Sequence, residues 1–197
     1  MTDLILASQS ASRAALFSGA GLAFTQIGAN VDEDAVKAGM RAEGKSTAEQ
    51  AEVLAEMKAA KISRKHAGLV VGGDQMLDLN GTAFDKPKDL DQARDNLLKL
   101  RGKTHTLETA IVVCEGGAPV WRHIAKPKLT MRAFSDAFLD QYIDAAGPKI
   151  LASVGAYQLE DLGAQLFNKI EGDYFSILGL PLLPLLDWLR DRGVLTR

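Results

Sequence analysis

The sequence predicts an α/β fold, and three observations carry that prediction. Short apolar runs alternate with longer segments of helical period. Most of the helical segments begin at a capping residue and stop at glycine. The run Gly68–Gly73 is apolar on both faces, as in a strand covered by helices on either side. In chain order, Leu4–Ala7 reads as a short strand. Ser8–Ser12 is a small polar loop, and Arg13–Ser18 begins a helix stopped by Gly19 and Gly21. Ala48–His66 is a helix, with Ala51, Leu54, Ala55, Lys58 and Ile62 at helical spacing. Gly68–Gly73 is a strand that ends at two glycines and presents Asp74. A second short strand and a turn lead to Lys86 and Lys88. Asp89 caps a helix running to Leu100, with Gln92 as its capping-box partner and Gly102 as its stop. Thr104–Cys114 and Val120–Met131 form an antiparallel ribbon turning at Gly116-Gly117. Ser135 caps a helix that ends at Gly147, Ala164–Ile170 is a strand, and Pro181 opens the last helix, Leu182–Arg192.

Composition narrows the class. A chain of 197 residues, 47% hydrophobic and 24% charged, buries a sizeable core as one large domain or two small lobes. A formal net charge of -2 argues against broad binding to nucleic acid or anionic membrane. The single cysteine, Cys114, lies in an apolar run, excludes an intrachain disulfide and reads as an inert buried thiol. Leu4–Ala7 is too short for a signal-peptide core, and no apolar stretch has spanning length, so a cytoplasmic protein is expected.

Two features carry chemistry. Asp74, beside Gly72 and Gly73, can hold a metal ion or activate water, and Lys86 and Lys88 can neutralise phosphate. Ser8, Ser10, Ser12 and Arg13 sit between a strand and a helix N-terminus, which makes an anion cradle of hydroxyls, free N–H groups and a guanidinium. The loop is not a P-loop, since it lacks the glycines and the Gly-Lys-Ser/Thr ending. His66, His105 and His123 show no zinc spacing. His105 reads as a strand residue with a satisfied ring.

The motifs in order resemble one family. Leu6-Ala7-Ser8-Gln9-Ser10-Ala11-Ser12-Arg13 is similar to the Ser-x-Ser-Pro-Arg-Arg opening of the Maf family, the septum-formation-inhibitor-like nucleotide pyrophosphatases. Asp32-Glu33 resembles its Asp-Glu after the second strand, and Leu54-Ala55-x-x-Lys58-Ala59 its helix lysine motif. Gly73-Asp74-Gln75 with Lys86-Pro87 resembles its Gly-x-Asp-Thr/Gln…Gly-Lys-Pro block. Leu100-x-Gly102-x-Thr104-His105, Gly155-Ala156-Tyr157, Ile170–Tyr174 and Gly179–Leu182 resemble its later signatures. The likeness covers nearly the whole chain.

The resemblance implies a two-lobed fold similar to Maf and inosine triphosphatase proteins. It consists of an elongated mixed sheet flanked by helices around a central cleft, all in one domain over 1–197. It implies hydrolysis of a nucleoside triphosphate to monophosphate and pyrophosphate with a divalent cation, Mg²⁺ first and Mn²⁺ or Co²⁺ as alternatives, in a homodimer. Asp74 is then the general base or a metal-bound carboxylate, and Glu33 the second metal-side carboxylate. Arg13, Lys58 and Lys86 are the phosphate cations. Ser8 donates to a phosphate oxygen, and Ser10 does so or caps the helix. Ala11 and Ser12 depart from the family pattern. Gln75 and Glu160 resemble the branch acting on 7-methyl-GTP, where the dTTP and UTP branch has Thr and Gln. Ser12, Gln75 and Glu160 are therefore the expected base-specificity positions, although Ser12 also differs from the aromatic residue of the first branch. A carboxylate at Glu160 suits the guanine N–H donors and the positive methylated ring. The alternatives are a dTTP/UTP pyrophosphatase and a weakly catalytic nucleotide-binding regulator of cell division. A phosphatase of another α/β class is disfavoured, because the chain has no Cys-x₅-Arg loop.

Overall fold

The protein is described here by a computed structural model that covers residues 3–196. Its strands are β1 (Leu4–Leu6), β2 (Thr25–Gln26), β3 (Leu69–Leu79), β4 (Thr82–Phe84), β5 (Thr104–Glu115), β6 (Ala118–Ala125), β7 (Lys128–Met131) and β8 (Phe167–Glu171). They form one open, mixed sheet in the order β2-β1-β3-β5-β7-β8, with β4 beside β3 and β6 beside β5. The β1–β2 and β1–β3 pairs are parallel and the others antiparallel. Around the sheet lie α1 (Ala11–Gly19), α2 (Glu33–Ala42), α3 (Thr47–Ser63), α4 (Leu90–Leu100), α5 (Asp136–Ala146), α6 (Tyr174–Ile177) and α7 (Leu182–Asp191). No helix among the described residues is long and apolar enough to cross a membrane.

The alternating faces of β3 explain its doubly apolar sequence. Val70 joins Ala51, Ala55 and Ala59 of α3 on one face. Val71 joins Phe17 of α1 and Leu185 and Leu189 of α7 on the other. Beyond them, Leu77, Leu107 and Leu129 pack under α4 and α5 with Leu97 and Leu139. The small residues of α3 let the helix lie close to the sheet, and a capping box of Ser46 and Glu49 fixes its start.

Several expectations change. The glycines do not end β3, which runs on to Leu79 and places Asp74 mid-strand, opposite Ala110. Gly72 is needed for packing: a Cβ there would lie 2.2 Å from the Ala55 carbonyl oxygen. The strand turns instead at Asn80-Gly81, both at positive φ (53° and 84°), as a two-residue hairpin requires. The expected strand Val120–Met131 is two strands broken at Lys126-Pro127, and both pair with β5. Helix α2 lies where no helix was expected; Asp32 caps it by accepting from the Ala35 N–H. Gln92 reaches back to the N–H of Lys88 and not to that of the cap, Asp89.

Cys114 is buried, and burial pushes its thiol up to about 11. His105 is only half satisfied. Nε2 shares a 2.7 Å hydrogen bond with the Tyr157 hydroxyl, while Nδ1 is buried without a partner. Burial lowers its pKa from 6.5 to about 4. Above about pH 7.5 the ring is neutral in both the folded and the unfolded chain. As the pH falls from there toward 4, the unfolded chain binds a proton that the folded chain refuses, and about 3 kcal/mol of stability is lost. Urea unfolding midpoints at neutral and mildly acid pH should show this decline in the native protein. The decline should be correspondingly smaller in His105→Gln.

Candidate active site

Four elements deliver charged groups to one cleft. Lys58 continues the buried stripe of α3, and the bare backbone at Gly72 brings that helix down onto β3. The Lys58 ammonium therefore reaches Asp74 Oδ1 at 2.7 Å and, on its other side, Glu33 Oε1 at 2.7 Å. Glu33 is the first residue of α2, so that helix start presents a carboxylate to the cleft. Asp74 is 5% exposed, and its Oδ2 is buried with no hydrogen-bond partner. One carboxylate oxygen is thus neutralised and the other is left as an unused acceptor.

Arg13 lies in the first turn of α1. Its Nε donates to the carbonyl of Gly179 at 2.7 Å, and Nη1 donates to Ser8 Oγ at 3.3 Å. It passes over Gly73, where a Cβ would sit 3.1 Å from Nε. Burial lowers the Arg13 pKa, opposed by the charges of Asp74 and Glu33. Ser8 is buried and accepts from both Arg13 and the Ser10 N–H, so its own proton is left to donate. Ser10 takes the capping role, accepting from the Arg13 N–H. Burial alone would raise Glu33, but the Lys58 hydrogen bond and the charges of Lys58, Lys37 and Lys86 outweigh it and hold the carboxyl below its ordinary value. Lys86 makes no hydrogen bond or ion pair among the described residues. Although much of its surface is open to water, desolvation of its ammonium, then the charges of Arg13 and Lys58, lower its pKa against the pull of Glu33 and Asp74.

Ser8, Arg13, Glu33, Lys58, Asp74 and Lys86 thus lie around one place, whereas Ser12 faces a different cavity and Lys88 makes no contact with this group among the described residues. The structure adds three more. Lys37 lies 3.9 Å from Glu33 and 3.5 Å from Asp85, and Arg41 holds Asp85 at 2.9 Å. Asp85 precedes Lys86, so these contacts tie α2 to the loop carrying a phosphate cation. The spacing of Glu33, Lys37 and Arg41 every four residues is the signal for them, readable once α2 is known to be a helix. Ser12, Gln75 and Glu160 line a separate cavity, with Leu107, Tyr157 and Leu159 among its walls. A larger groove between α2 and α3 receives none of the charged groups Arg13, Glu33, Lys58, Asp74 or Lys86.

A divalent cation can be tested against this donor set. Among the described residues, no three His, Cys, Asp or Glu side chains converge to hold a metal by themselves. Two carboxylates sharing one ammonium, with an unpaired oxygen on Asp74, do fit Mg²⁺. That ion is usually held by one or two carboxylates and completes its shell with water and substrate phosphate.

The chain also has counterparts among known proteins. The family described as Maf-like protein matches residues 3–192. A nucleoside triphosphate pyrophosphatase of Hyphomonas neptunium is 58% identical over 190 residues, 96% of each chain. A protein of the same name from Caulobacter vibrioides is 54% identical, over 100% of this chain and 98% of its own. A 7-methyl-GTP pyrophosphatase of Rhizobium meliloti is 47% identical, over 98% of this chain and 97% of its own.

Proposed function

The chain belongs to the Maf family, and from that premise we propose that it hydrolyses a nucleoside triphosphate to the monophosphate and pyrophosphate. The observation that carries this reading is the divided role of Asp74: Oδ1 is held by Lys58, and Oδ2 is buried without a partner. Oδ2 accepts a proton from a water molecule. The oxygen of that water bonds to the α-phosphorus, and the bond from that phosphorus to the α–β bridging oxygen breaks to release pyrophosphate. Arg13, Lys58 and Lys86 neutralise the phosphate oxygens, and Ser8 donates its proton to one of them. Asp74 and Glu33 would hold the divalent cation, which supplies further charge neutralisation when bound. A general-base role for Asp74 is compatible with its sharing that cation.

The finer reading concerns the base. Gln75, Glu160 and Ser12 line the second cavity, and Glu160 offers a carboxylate to a positively charged ring and to the N–H groups of guanine. A relative of nearly equal length is named for 7-methyl-GTP. This chain accordingly prefers 7-methyl-GTP over UTP and dTTP. Product-resolved hydrolysis with Mg²⁺, comparing 7-methyl-GTP, GTP, UTP, dTTP and CTP, tests both levels. Monophosphate plus pyrophosphate is expected, fastest with 7-methyl-GTP. Orthophosphate as product would sink the reaction class. Faster turnover of UTP or dTTP would sink only the base preference. Nucleotide binding with no turnover would favour a regulator.

A further inference from the structure

The amide of Gln75 is clamped in one orientation. Its two Nε2–H bonds are shared among three acceptors, Thr109 Oγ1 at 2.9 Å, the Ser176 carbonyl at 3.0 Å and the Ile177 carbonyl at 3.1 Å. Two of these partners are backbone carbonyls, which only accept, so nitrogen and oxygen cannot exchange places without setting oxygen against oxygen. Thr109 Oγ1 spends its own proton on the Ser176 carbonyl at 3.0 Å, so its oxygen meets Gln75 as an acceptor. Thr109 and Ser176 are both fully buried, and the clamp joins β5 to the short helix α6. The Oε1 atom of Gln75 has no partner among the described residues and is not among their buried unpaired atoms. Since Gln75 lines the cavity shared with Ser12 and Glu160, the oxygen is the face it shows there.

We infer that Thr109 is a positioning residue for base selection. With the Ser176 and Ile177 carbonyls it fixes Gln75 as an acceptor, so that the cavity receives bases through an N–H and disfavours those presenting a lone pair at that place. This rests on the reading of the second cavity as the base site. Glu160 is also an acceptor, so both polar walls ask for donors. Guanine-type bases carry two adjacent donors, N1–H and the 2-amino group. Uracil and thymine carry one, flanked by two carbonyls. Thr109 itself is too buried to touch a ligand and acts only through Gln75.

Calorimetric titration with nucleoside monophosphates separates this inference from the hydrolytic reading, because it needs no turnover. The probes are 7-methyl-GMP, GMP, IMP, which lacks the 2-amino group, and UMP. In the native protein the guanine-type ligands should bind more tightly than UMP. In Thr109→Val the ratio should fall roughly fivefold to tenfold, about the worth of one lost hydrogen bond, and Thr109→Ser should restore it. A merely structural role would lower the melting temperature and leave the ratio unchanged. The Gln75 side-chain amide protons, followed by ¹⁵N NMR, should exchange slowly with water in the native protein and faster in Thr109→Val. An unchanged ratio in folded Thr109→Val, or an unprotected amide in the native protein, overturns the inference. Equal binding of all four ligands overturns it together with the base assignment, whereas failure to release pyrophosphate from triphosphates touches only the hydrolytic reading.

Discussion

Replacing Asp74 by Asn should lower kcat by about two to four orders of magnitude, the usual range for loss of a general base. It should leave the fold intact. The amide matches the carboxylate in size. Lys58, which would otherwise be left as an unpaired charge, keeps Glu33 at 2.7 Å. The loss falls on the chemical step because Oδ2, the unpaired oxygen, is the atom that would take the proton from water. Steady-state kinetics at saturating nucleotide, with a thermal melt as the control for folding, measures it. A kcat within tenfold of the native value in a folded variant would move the base to another group and reduce Asp74 to a binding role.

Gly72→Ala is expected to have the largest effect on stability. The added methyl would lie 2.2 Å from the Ala55 carbonyl oxygen, 2.8 Å from the Ala59 nitrogen and 2.9 Å from the Ala59 Cβ. Two of these are helix backbone atoms that no side-chain rotation can move, so α3 must lift from β3. Overpacking of this kind typically costs about 1–3 kcal/mol, and the upper end or more applies where backbone must shift. Lifting α3 also withdraws Lys58 from Asp74, so activity should fall together with the melting temperature. Gly39→Ala is the matching control. It lies inside α2 with nothing within 4 Å of the added Cβ, and should stabilise by about 0.5–1 kcal/mol. A Gly72→Ala protein with native melting temperature and activity would mean that α3 and β3 are not in this contact.

Gly72 and its neighbour Gly73 also show where sequence reading stops. The caps at Ser10, Asp89 and Ser135 and the helical stripe Ala51–Ile62 express local chemistry, and the corresponding helices lie close to where they were expected. Gly72 and Gly73 look locally like a strand end. Their reason is tertiary, the approach of α3 and Arg13, and that approach keeps β3 extended through Asp74. Pro127 was a visible break in the run to Met131. Asp32 was a visible cap for α2, but Glu33 beside it read as a metal-side carboxylate and not as the first residue of a helix. At the site, Ser8, Arg13, Glu33, Lys58, Asp74 and Lys86 are separable by ordered motifs, and the structure gathers them. Thr109 carried no such signal. Its role depends on the carbonyls of α6, far along the chain from Gln75.

The two carboxylates of the cleft stand on supports of unequal durability. Asp74 belongs to β3, which is paired along one edge with β5 and along the other with β1 before Asp74 and β4 after it. Backbone there is released only when the whole sheet opens. Glu33 belongs to α2, which buries only Met40 and is tied to the rest by the Glu33–Lys58 pair and by partly exposed ion pairs through Asp85. Segments with so little buried contact open and reclose many times for each global unfolding event. The cleft therefore has a permanent wall and an intermittent one. Glu33 is thus carried by a helix that opens more readily than the strand beneath Asp74.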